Sequence, residues 1–503
     1  MSQSRRRQPL DRVATRVITL LGLLIAAMLL LGAQSLPQVR TFSWQDKPVT
    51  AADVAFMMTF TQPMDAQSVE QNLQIEPALA GKFSWAGRRM AYTLAVPAPY
   101  GESYKISLPT AKALARQDGF EPFSSEFKTR DRIFAYIGAA GEEQGRLILF
   151  NLTRKEKTLL TPEGQIVMDF QSYPERDRIL FSAVSAEAQA EGQSSPQIYS
   201  VSTGQREATA APRWQLWNRT EPAAAGAIQL ILDNQDYQNL KFDLSPNGEV
   251  IVVQRVNQTN PADFGPWVLM NGEPPRQLKT EPGGDFTIAP DSLSLLLQQG
   301  EGTAVIALEP EVAQADELLD FLPDYGLTLD VANDGSAAAL VNFNQDDPDK
   351  RYTQSLFWVS SQGEEKQLLQ TEGAIVSAQF NEDNTVLYCL INRLLVVDNG
   401  AEDEYQVSPY ITAVNVKTGK EQELLEMPPQ PEITLSLSPD GLAILFDETL
   451  VSDSRLKADT DQATDRLWLL PLFSTLEERL SGEPIPLPPT ELELAGRHPE
   501  WLP

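Results

Sequence analysis

Apolar and polar residues alternate along much of this chain with a period of two, the spacing of a half-buried β-strand. In the run 54–60, for example, Val54, Phe56, Met58 and Phe60 share one face. Further short runs, separated by turn residues, predict strands at Leu73–Glu76, Lys82–Trp85, Met90–Leu94, Tyr104–Leu108 and Glu126–Thr129. Short strands with a turn about every 8–12 residues are typical of a β-sandwich. We therefore predict a β-sandwich for residues 37–130.

From residue 131 onward, a strand–turn–strand phrase repeats along the chain. Its cleanest copy is 433–446, in which Ser438-Pro439-Asp440-Gly441 lies between two apolar runs. Proline presets φ at a turn, and Asp-Gly or Asn-Gly supplies the left-handed residues that reverse the chain into a hairpin. The other copies lie at 166–182, 240–253, 286–297, 327–342 and 375–390. A period of about 45–60 residues is typical of propeller blades rather than of helical solenoids.

Each end of this repeat region lacks one strand of a strand–turn–strand pair, and the other end has a strand that could complete it. Residues 498–503 resemble the phrase without its second strand, whereas Arg132–Ile137 looks like a strand without a hairpin partner. Pairing them would close the propeller and remove open sheet edges. We therefore predict an all-β chain in which residues 131–503 form a β-propeller with seven four-stranded blades. Six or eight blades stay open, because the copies at 327–342 and 375–390 are degenerate.

The N-terminal segment has a different pattern. Val17–Ala33 carries no charged side chain, and as a helix it would span about 25 Å, the short end of what crosses a bilayer. It is preceded by Arg5, Arg6, Arg7, Arg12 and Arg16, which predict a cytoplasmic tail at 1–16. A cleaved signal peptide usually has an apolar region of about 7–15 residues and a small-x-small site, where this chain has Leu31-Gly32-Ala33. We therefore favour a retained transmembrane anchor at 17–33 over a signal peptide.

Charge and cysteine content exclude several classes of function. The chain has 40 Lys and Arg against 69 Asp and Glu, a net charge of −29. A protein this acidic repels the phosphate backbone of nucleic acids. We therefore expect no nucleic-acid partner. Cys389 is the only cysteine, which rules out an intrachain disulfide, and its apolar surroundings predict a buried structural thiol.

The sequence contains no recognisable catalytic or metal-binding constellation. His498 is the only histidine and has no Gly-x-Ser-x-Gly elbow to accompany it, so we assign it to the repeat phrase. Lys417-Thr418-Gly419-Lys420 lacks the first glycine of a phosphate loop and follows a strand as a hairpin turn. Two acidic groups lack calcium-loop spacing: Asp346, Asp347 and Asp349, and Asp453, Asp459, Asp461 and Asp465. We predict no catalytic residue, no metal ligand and no cofactor.

One insertion, Arg206–Gly226, accounts for the wider gap between two copies of the repeat. It contains Trp214, Trp217 and Arg219, residue types that often anchor protein interfaces. We predict these three as binding residues, with the alternative that the Trp side chains fold back onto the propeller.

Two resemblances add to this interpretation. The phrase Phe60-Thr61-Gln62-Pro63-Met64-Asp65, followed by Ile75-Glu76-Pro77 and Phe83-Ser84-Trp85, resembles the bacterial Ig-like domain of surface-layer and envelope proteins. The phrase Ser438-Pro439-Asp440-Gly441 with its following apolar strand resembles the TolB-type, WD-like propeller repeat of bacterial periplasmic proteins. The resemblances imply a spacer domain and a periplasmic propeller. Together with the predicted N-terminal anchor, they give a bacterial inner-membrane location with the bulk of the chain in the periplasm. Propellers have many unrelated roles, so the resemblance does not specify a function.

These observations favour a non-enzymatic interaction or scaffold protein of the cell envelope. In this hypothesis the Ig-like domain spaces the propeller from the membrane, and the propeller docks an envelope protein or wall polysaccharide. The alternative is a carboxylate-dependent glycosidase or lyase acting on an envelope carbohydrate, because such enzymes on propellers need only two suitably placed acids. The sequence leaves the ligand, the oligomeric state and the pathway open.

Overall fold

The computed structural model describes residues 13–14, 16–23, 36–114, 119–192, 195–205, 223–270, 273–308, 318–398, 403–430, 432–450 and 464–503. The chain forms two units, one of Met1–Ala98 with Glu102–Thr129 and one of Pro99–Gly101 with Arg130–Pro503. Residues 13–14 and 16–23 are helical. Within the described ranges, no helix is both long and apolar enough to cross a membrane. Residues 24–33 of the predicted anchor lie outside those ranges.

From residue 36 onward, the described residues of the first unit form eight short strands and one short helix. The strands are β1 (Val39–Phe42), β2 (Pro48–Val49), β3 (Ala55–Phe60), β4 (Gln74–Glu76), β5 (Gly81–Ala86), β6 (Arg89–Leu94), β7 (Ser103–Leu108) and β8 (Phe123–Thr129). They form two four-stranded sheets with the orders β1-β3-β6-β5 and β2-β8-β7-β4. All pairs are antiparallel except β2 with β8, which is parallel. Helix α1 (Ala66–Asn72) is capped by the Asp65 side chain, which accepts from the Gln67 amide.

Both sheets of this unit contribute to one apolar core. Phe56, Met58 and Phe60 of β3 are fully buried and belong to the same cluster as Ile106 of β7 and Phe127 of β8. Burying a large apolar side chain is worth about 1.5–3 kcal/mol, so this shared cluster holds the two sheets together. The predicted strand positions agree with the observed ones.

Val54 is an exception to the predicted apolar face. It precedes β3 and is 56% exposed. Its amide donates to the Ala52 carbonyl oxygen in a turn, so the two-residue alternation begins only at Ala55.

The second unit consists of a long series of strands: β9 (Ile133–Gly138), β10 (Leu147–Asn151), β11 (Glu156–Leu159), β12 (Gln165–Ser172), β13 (Arg178–Ser185), β14 (Gln197–Ser202), β15 (Ile228–Leu232), β16 (Tyr237–Leu244), β17 (Val250–Asn257), β18 (Phe264–Met270), β19 (Arg276–Gln277), β20 (Phe286–Ile288), β21 (Ser294–Gln299), β22 (Gly302–Ala307), β23 (Leu318–Leu322), β24 (Leu327–Val331), β25 (Ala337–Asn342), β26 (Gln354–Ser360), β27 (Glu365–Thr371), β28 (Ala374–Phe380), β29 (Val386–Asp398), β30 (Asp403–Asn415), β31 (Glu421–Glu426), β32 (Leu435–Leu437), β33 (Ala443–Leu450), β34 (Thr464–Pro471) and β35 (Thr490–Trp501). Two short helices, α2 (Ala186–Ala190) and α3 (Leu476–Ser481), interrupt the series.

Most of these strands pair with their neighbours in sequence, four at a time. Sheets 1 to 5 are β12–β15, β16–β19, β20–β23, β24–β27 and β28–β31. The remaining strands form one continuous sheet with the order β11-β10-β9-β35-β34-β33-β32. This succession of four-stranded antiparallel sheets is consistent with a β-propeller, as the repeat predicted.

The continuous sheet is two four-stranded groups that share the bent strand β35. Its first half pairs with β34, as in Leu469 opposite Thr490, and completes sheet 6. Its second half pairs with β9, as in Trp501 opposite Phe134, and completes sheet 7 with β10 and β11. The prediction that the C-terminal phrase pairs with the strand beginning near Ile133 is thereby confirmed.

Candidate functional site

In each copy of the repeat, we call the strand that leads into the turn the innermost strand, and it carries a polar residue two positions before the turn. These residues are Gln171, Asp243, Thr287, Asp330, Gln379, Ser436 and Glu500. All but Thr287 accept a hydrogen bond from a backbone amide of the next sheet: Leu244 to Gln171 (2.8 Å), Ile288 to Asp243 (2.6 Å), Phe380 to Asp330 (2.7 Å), Leu437 to Gln379 (2.8 Å), Trp501 to Ser436 (3.0 Å) and Ser172 to Glu500 (2.8 Å). We call these the inter-sheet contacts. They join sheet 1 to 2, 2 to 3, 4 to 5, 5 to 6, 6 to 7 and 7 to 1.

The junction between sheets 3 and 4 differs from the others. There the Val331 amide donates to the Asp330 side chain of its own strand, at 2.9 Å.

The sequence signal for the inter-sheet contacts is a polar residue two places before the turn in an otherwise apolar strand. Our sequence interpretation missed this role, because the amide that each side chain accepts from lies in another copy of the repeat.

Burial shifts the acid–base behaviour of the carboxylates in these contacts. It raises the pKa of Glu500 to about 7, helped by the negative charge of Asp169, and that of Asp330 to about 6. The pKa of Asp243 is also raised by burial, although its carboxylate accepts from Ile288, Gln171 and Leu244. Loss of water around the charged form therefore outweighs the hydrogen bonds that favour it. In all three residues, a carboxylate oxygen already accepts a hydrogen bond from a backbone amide of the next sheet.

His498 lies in β35, in the irregular stretch between Arg497 and Glu500. Its Nε2 lies 3.3 Å from Oδ1 of Asp169, and its backbone amide donates to Oδ2 of Asp447 at 2.8 Å. The other oxygen of Asp447 accepts from the Thr434 amide, and burial raises the pKa of this carboxyl. No serine, threonine or cysteine among the described residues donates to His498, so the histidine lies in the repeat strand without a nucleophile.

An open polar pocket of about 650 Å³ lies at the end of the sheets where the innermost strands begin. We call it the mouth pocket; its polar side chains include Gln144, Arg146, Glu163, Gln189, Asp465 and Arg497. Nε of Arg146 donates to the Thr161 carbonyl oxygen, and Asp465 accepts from the Thr449 hydroxyl. The Arg497 side chain is exposed and forms no hydrogen bond or ion pair with any described residue.

A second opening lies at the same end of sheet 4, beside the connection between β25 and β26. We call it the Tyr352 groove; it measures about 420 Å³ and is lined by Phe343, Gln345, Arg351, Tyr352, Thr353, Gln354 and Gly373. A smaller opening of about 210 Å³ shares Phe343 and Gln345 with it and adds Asn342, Asp346, Asp347 and Lys350.

Several predicted residues can now be placed. Trp214, Trp217 and Arg219, together with Asp453, Asp459 and Asp461, lie outside the described residues. Cys389 is fully buried, as predicted, and burial raises the pKa of its thiol. Gly419, with φ of +72°, lies in the predicted hairpin turn between β30 and β31. Within the described ranges, no group of three His, Cys, Asp or Glu side chains is placed to hold a metal ion.

Comparisons with known proteins give distant structural similarities and no family assignment. No family model matches the chain, and no curated protein matches it. TolB from Acinetobacter baumannii is 10% identical, with 86% of this chain and 83% of that one covered and a TM-score of 0.39. An oligogalacturonate lyase from Vibrio parahaemolyticus is 11% identical (63% and 88% covered, TM-score 0.38). A putative 6-phosphogluconolactonase from Bacteroides uniformis is also 11% identical (74% and 99% covered, TM-score 0.41). Similarities of this size do not assign a function.

Proposed function

We propose that this protein is a non-enzymatic interaction protein of the bacterial cell envelope. Its second unit is a seven-bladed propeller, closed by β35, that docks a protein or wall polymer. Its first unit is an Ig-like spacer. The mouth pocket carries this proposal, because it is open, polar and lined by an arginine side chain, Arg497, that no described residue engages. Such a group at the end of a rigid scaffold is available to a partner.

The inter-sheet contacts support docking over carboxylate catalysis. A glycosidase or lyase needs two acids free to reach the substrate. Glu500, Asp243 and Asp330 instead hold backbone amides of neighbouring sheets. One specific observation favours an enzyme. Glu500 has a pKa of about 7, and the negative charge of Asp169 contributes to raising it. A carboxyl group that titrates near neutral pH suits general acid catalysis, so this pair is the second candidate.

The membrane anchor at 17–33 remains part of the proposal, supported by the apolar sequence and the arginines before it. We expect the protein to fractionate with membranes and to resist carbonate extraction. Recovery of a soluble form that begins near Gln34 would overturn the anchor.

The docking proposal is tested by capture of partners from crosslinked envelopes with the full-length protein. Arg497→Glu reverses the charge in the mouth pocket, and we expect it to reduce capture of the specific partner about tenfold, the effect of losing one good ionic contact. Arg89→Glu makes the same change on an exposed residue of the first unit and should leave capture unchanged.

Two results would contradict this proposal. Equal capture by both variants would exclude the mouth pocket as the docking site. Cleavage of envelope glycans by the purified protein, abolished in Glu500→Gln, would establish the enzyme instead.

A further inference from the structure

Tyr352 has two unusual features. The residue is 86% exposed, more than any other large hydrophobic residue among those described. Its φ is +74°, in the left-handed region. That region is costly for a residue with a Cβ atom, and a bulky aromatic residue there is an outlier. Burial does not explain why a tyrosine occupies this position. Backbone outliers of this kind persist where the surroundings impose them, and they concentrate at ligand sites.

The surrounding loop is held in place by one buried amide side chain. Asn344 is 8% exposed, and its Nδ2 donates to Oγ1 of Thr353 at 2.8 Å and to Oγ of Ser355 at 2.9 Å. Asn344 therefore joins the start of the loop to its end. The Thr353 amide also donates to the Lys350 carbonyl oxygen at 2.9 Å. Tyr352 is thus presented to solvent from a loop whose two ends are tied together.

The Tyr352 groove beside this ring combines aromatic and amide groups. Phe343 packs closely against Gly326, where an added Cβ atom would lie 2.5 Å from its ring. Gln354 lines the groove, and its Oε1 accepts from the Ile375 amide at 2.8 Å, which fixes the side chain. Gln345 lines both this groove and the smaller opening beside it. Ligand pockets typically pair apolar or aromatic surface with a few placed polar groups of this kind.

We propose that the Tyr352 groove binds a neutral oligosaccharide segment of a wall polymer, with the Tyr352 ring as its stacking platform. A sugar ring presents a face of C–H groups that packs on an aromatic face, and a rim of hydroxyls that amide groups such as those of Gln345 and Gln354 can bind. Asp346 and Asp347 lie in the adjoining opening and the chain carries a net charge of −29, which disfavours an anionic ligand. This inference rests on the proposed docking function and names one occupant for it.

A protein partner fits the groove less well. Protein hot spots are aromatic side chains set in a packed patch that a rim shields from water. Tyr352 instead stands almost fully in solvent beside Arg351 and Gln345. An isolated aromatic face with polar neighbours suits the flat, hydroxylated surface of a sugar.

The test uses three variants of the full-length protein and two neutral probes, N-acetylchitotetraose and maltotetraose, measured by titration calorimetry. Tyr352→Gly removes the ring and also suits the left-handed backbone, so it should melt at the same temperature as the wild type or higher. We expect it to weaken binding of the preferred probe about tenfold or more. Tyr352→Phe keeps the ring and should retain binding. Leu230→Ala, an exposed apolar residue of β15, is the matched control and should bind like the wild type.

Each contrary result overturns the inference. If wild-type protein binds neither probe at about 1 mM, or if Tyr352→Gly binds equally well, the groove is not a glycan site. A clear fall in the melting temperature of Tyr352→Gly would mean that the tyrosine is structural. If neither probe binds but Tyr352→Gly still captures the envelope partner, the docking proposal stands and only the groove assignment falls. If Tyr352→Gly loses a protein partner while glycans do not bind, the groove is a protein site.

Discussion

Acidic side chains in the innermost strands have a structural reason to be there. Beside its polar residue, each innermost strand has one edge without a partner strand, so its outward amides need acceptors from elsewhere. Asp243, Asp330 and Glu500 supply those acceptors to the next sheet. The same burial that makes an unpaired amide costly also disfavours the charged carboxylate, so the pKa of Glu500 and of Asp330 rises.

Glu500 should therefore make stability depend on pH. Its pKa is about 7 in the folded protein against an ordinary value of 4.5, so between these limits the native state binds more protons than the unfolded state. The Glu500 contribution to stability is full below about pH 4.5 and is lost as the pH rises through about 7. Glu500→Gln keeps an oxygen to accept from Ser172 and removes the titration. We expect this variant to be more stable than the wild type at pH 8, by about 1–3 kcal/mol.

The measurement is urea unfolding of wild type, Glu500→Gln and Glu281→Gln, an exposed control, at pH 5.5 and pH 8. The wild type and the control should lose stability between these values, and Glu500→Gln should lose less. Parallel pH profiles for all three proteins would show that Glu500 does not titrate in this range.

At the scale of elements, one junction between sheets is weaker than the rest. Sheets 3 and 4 lack the inter-sheet contact at Thr287, and the Val331 amide donates instead to the Asp330 side chain of its own strand. The apolar cluster beside this junction has only three buried members among the described residues, Tyr325, Leu340 and Val359. The cluster between sheets 4 and 5 is much larger. We infer that the innermost strands are held most loosely at this junction.

Comparison of Gln379→Ala with Thr287→Ala tests this difference between junctions. Gln379 accepts from the Leu437 amide at 2.8 Å and donates to the Leu435 carbonyl oxygen at 3.2 Å. Its loss leaves those groups unpaired and should lower the free energy of unfolding by about 1–3 kcal/mol. Thr287→Ala removes no inter-sheet contact and should cost about 0.5 kcal/mol or less. Denaturant unfolding curves give the free energy of unfolding of both variants. Equal losses of free energy would mean that the inter-sheet contact of Gln379 does not contribute to stability.

At the scale of the whole second unit, the first strand and the last strand of that unit pair in one sheet. Trp501 and Leu502 are buried, and the Trp501 ring meets that of Phe134 at 5.5 Å between centroids. The Leu502 amide donates to the Ile133 carbonyl oxygen. Without this pairing, β9 and β34 would each present an open edge, and open edges invite aggregation.

Deletion of residues 498–503 should therefore cost far more than removal of an ordinary surface tail. Phe134→Asp, which buries a charge in the same cluster, should have a similar effect. We expect loss of soluble protein or a large fall in melting temperature for both. Leu159→Asp, on the exposed strand β11, is the control for an added charge and should melt close to the wild type. If all the variants melt like the parent, the two ends do not close this unit.

The sequence alone determined the features that depend on neighbours along the chain. The alternation around Phe56, Met58 and Phe60 specified a strand and its buried face, because side chains on a strand point to opposite sides in turn. Ser438-Pro439-Asp440-Gly441 specified a hairpin, because φ preferences act within a few residues. The incomplete phrase at 498–503 even identified its partner near Ile133, because an unpaired edge must be satisfied somewhere.

Only the tertiary structure decided features that join distant residues. Glu500 and Ser172 lie 328 positions apart, so nothing local shows that one accepts from the other. The same holds for Gln379 and Leu437, which the repeat brings together from adjacent sheets. The left-handed backbone of Tyr352 also had no local signal, because the Asn344 side chain, and not a glycine, fixes the loop around it. Local preferences set the strands and turns, whereas the polar contacts and open surfaces depend on which copies of the repeat become neighbours.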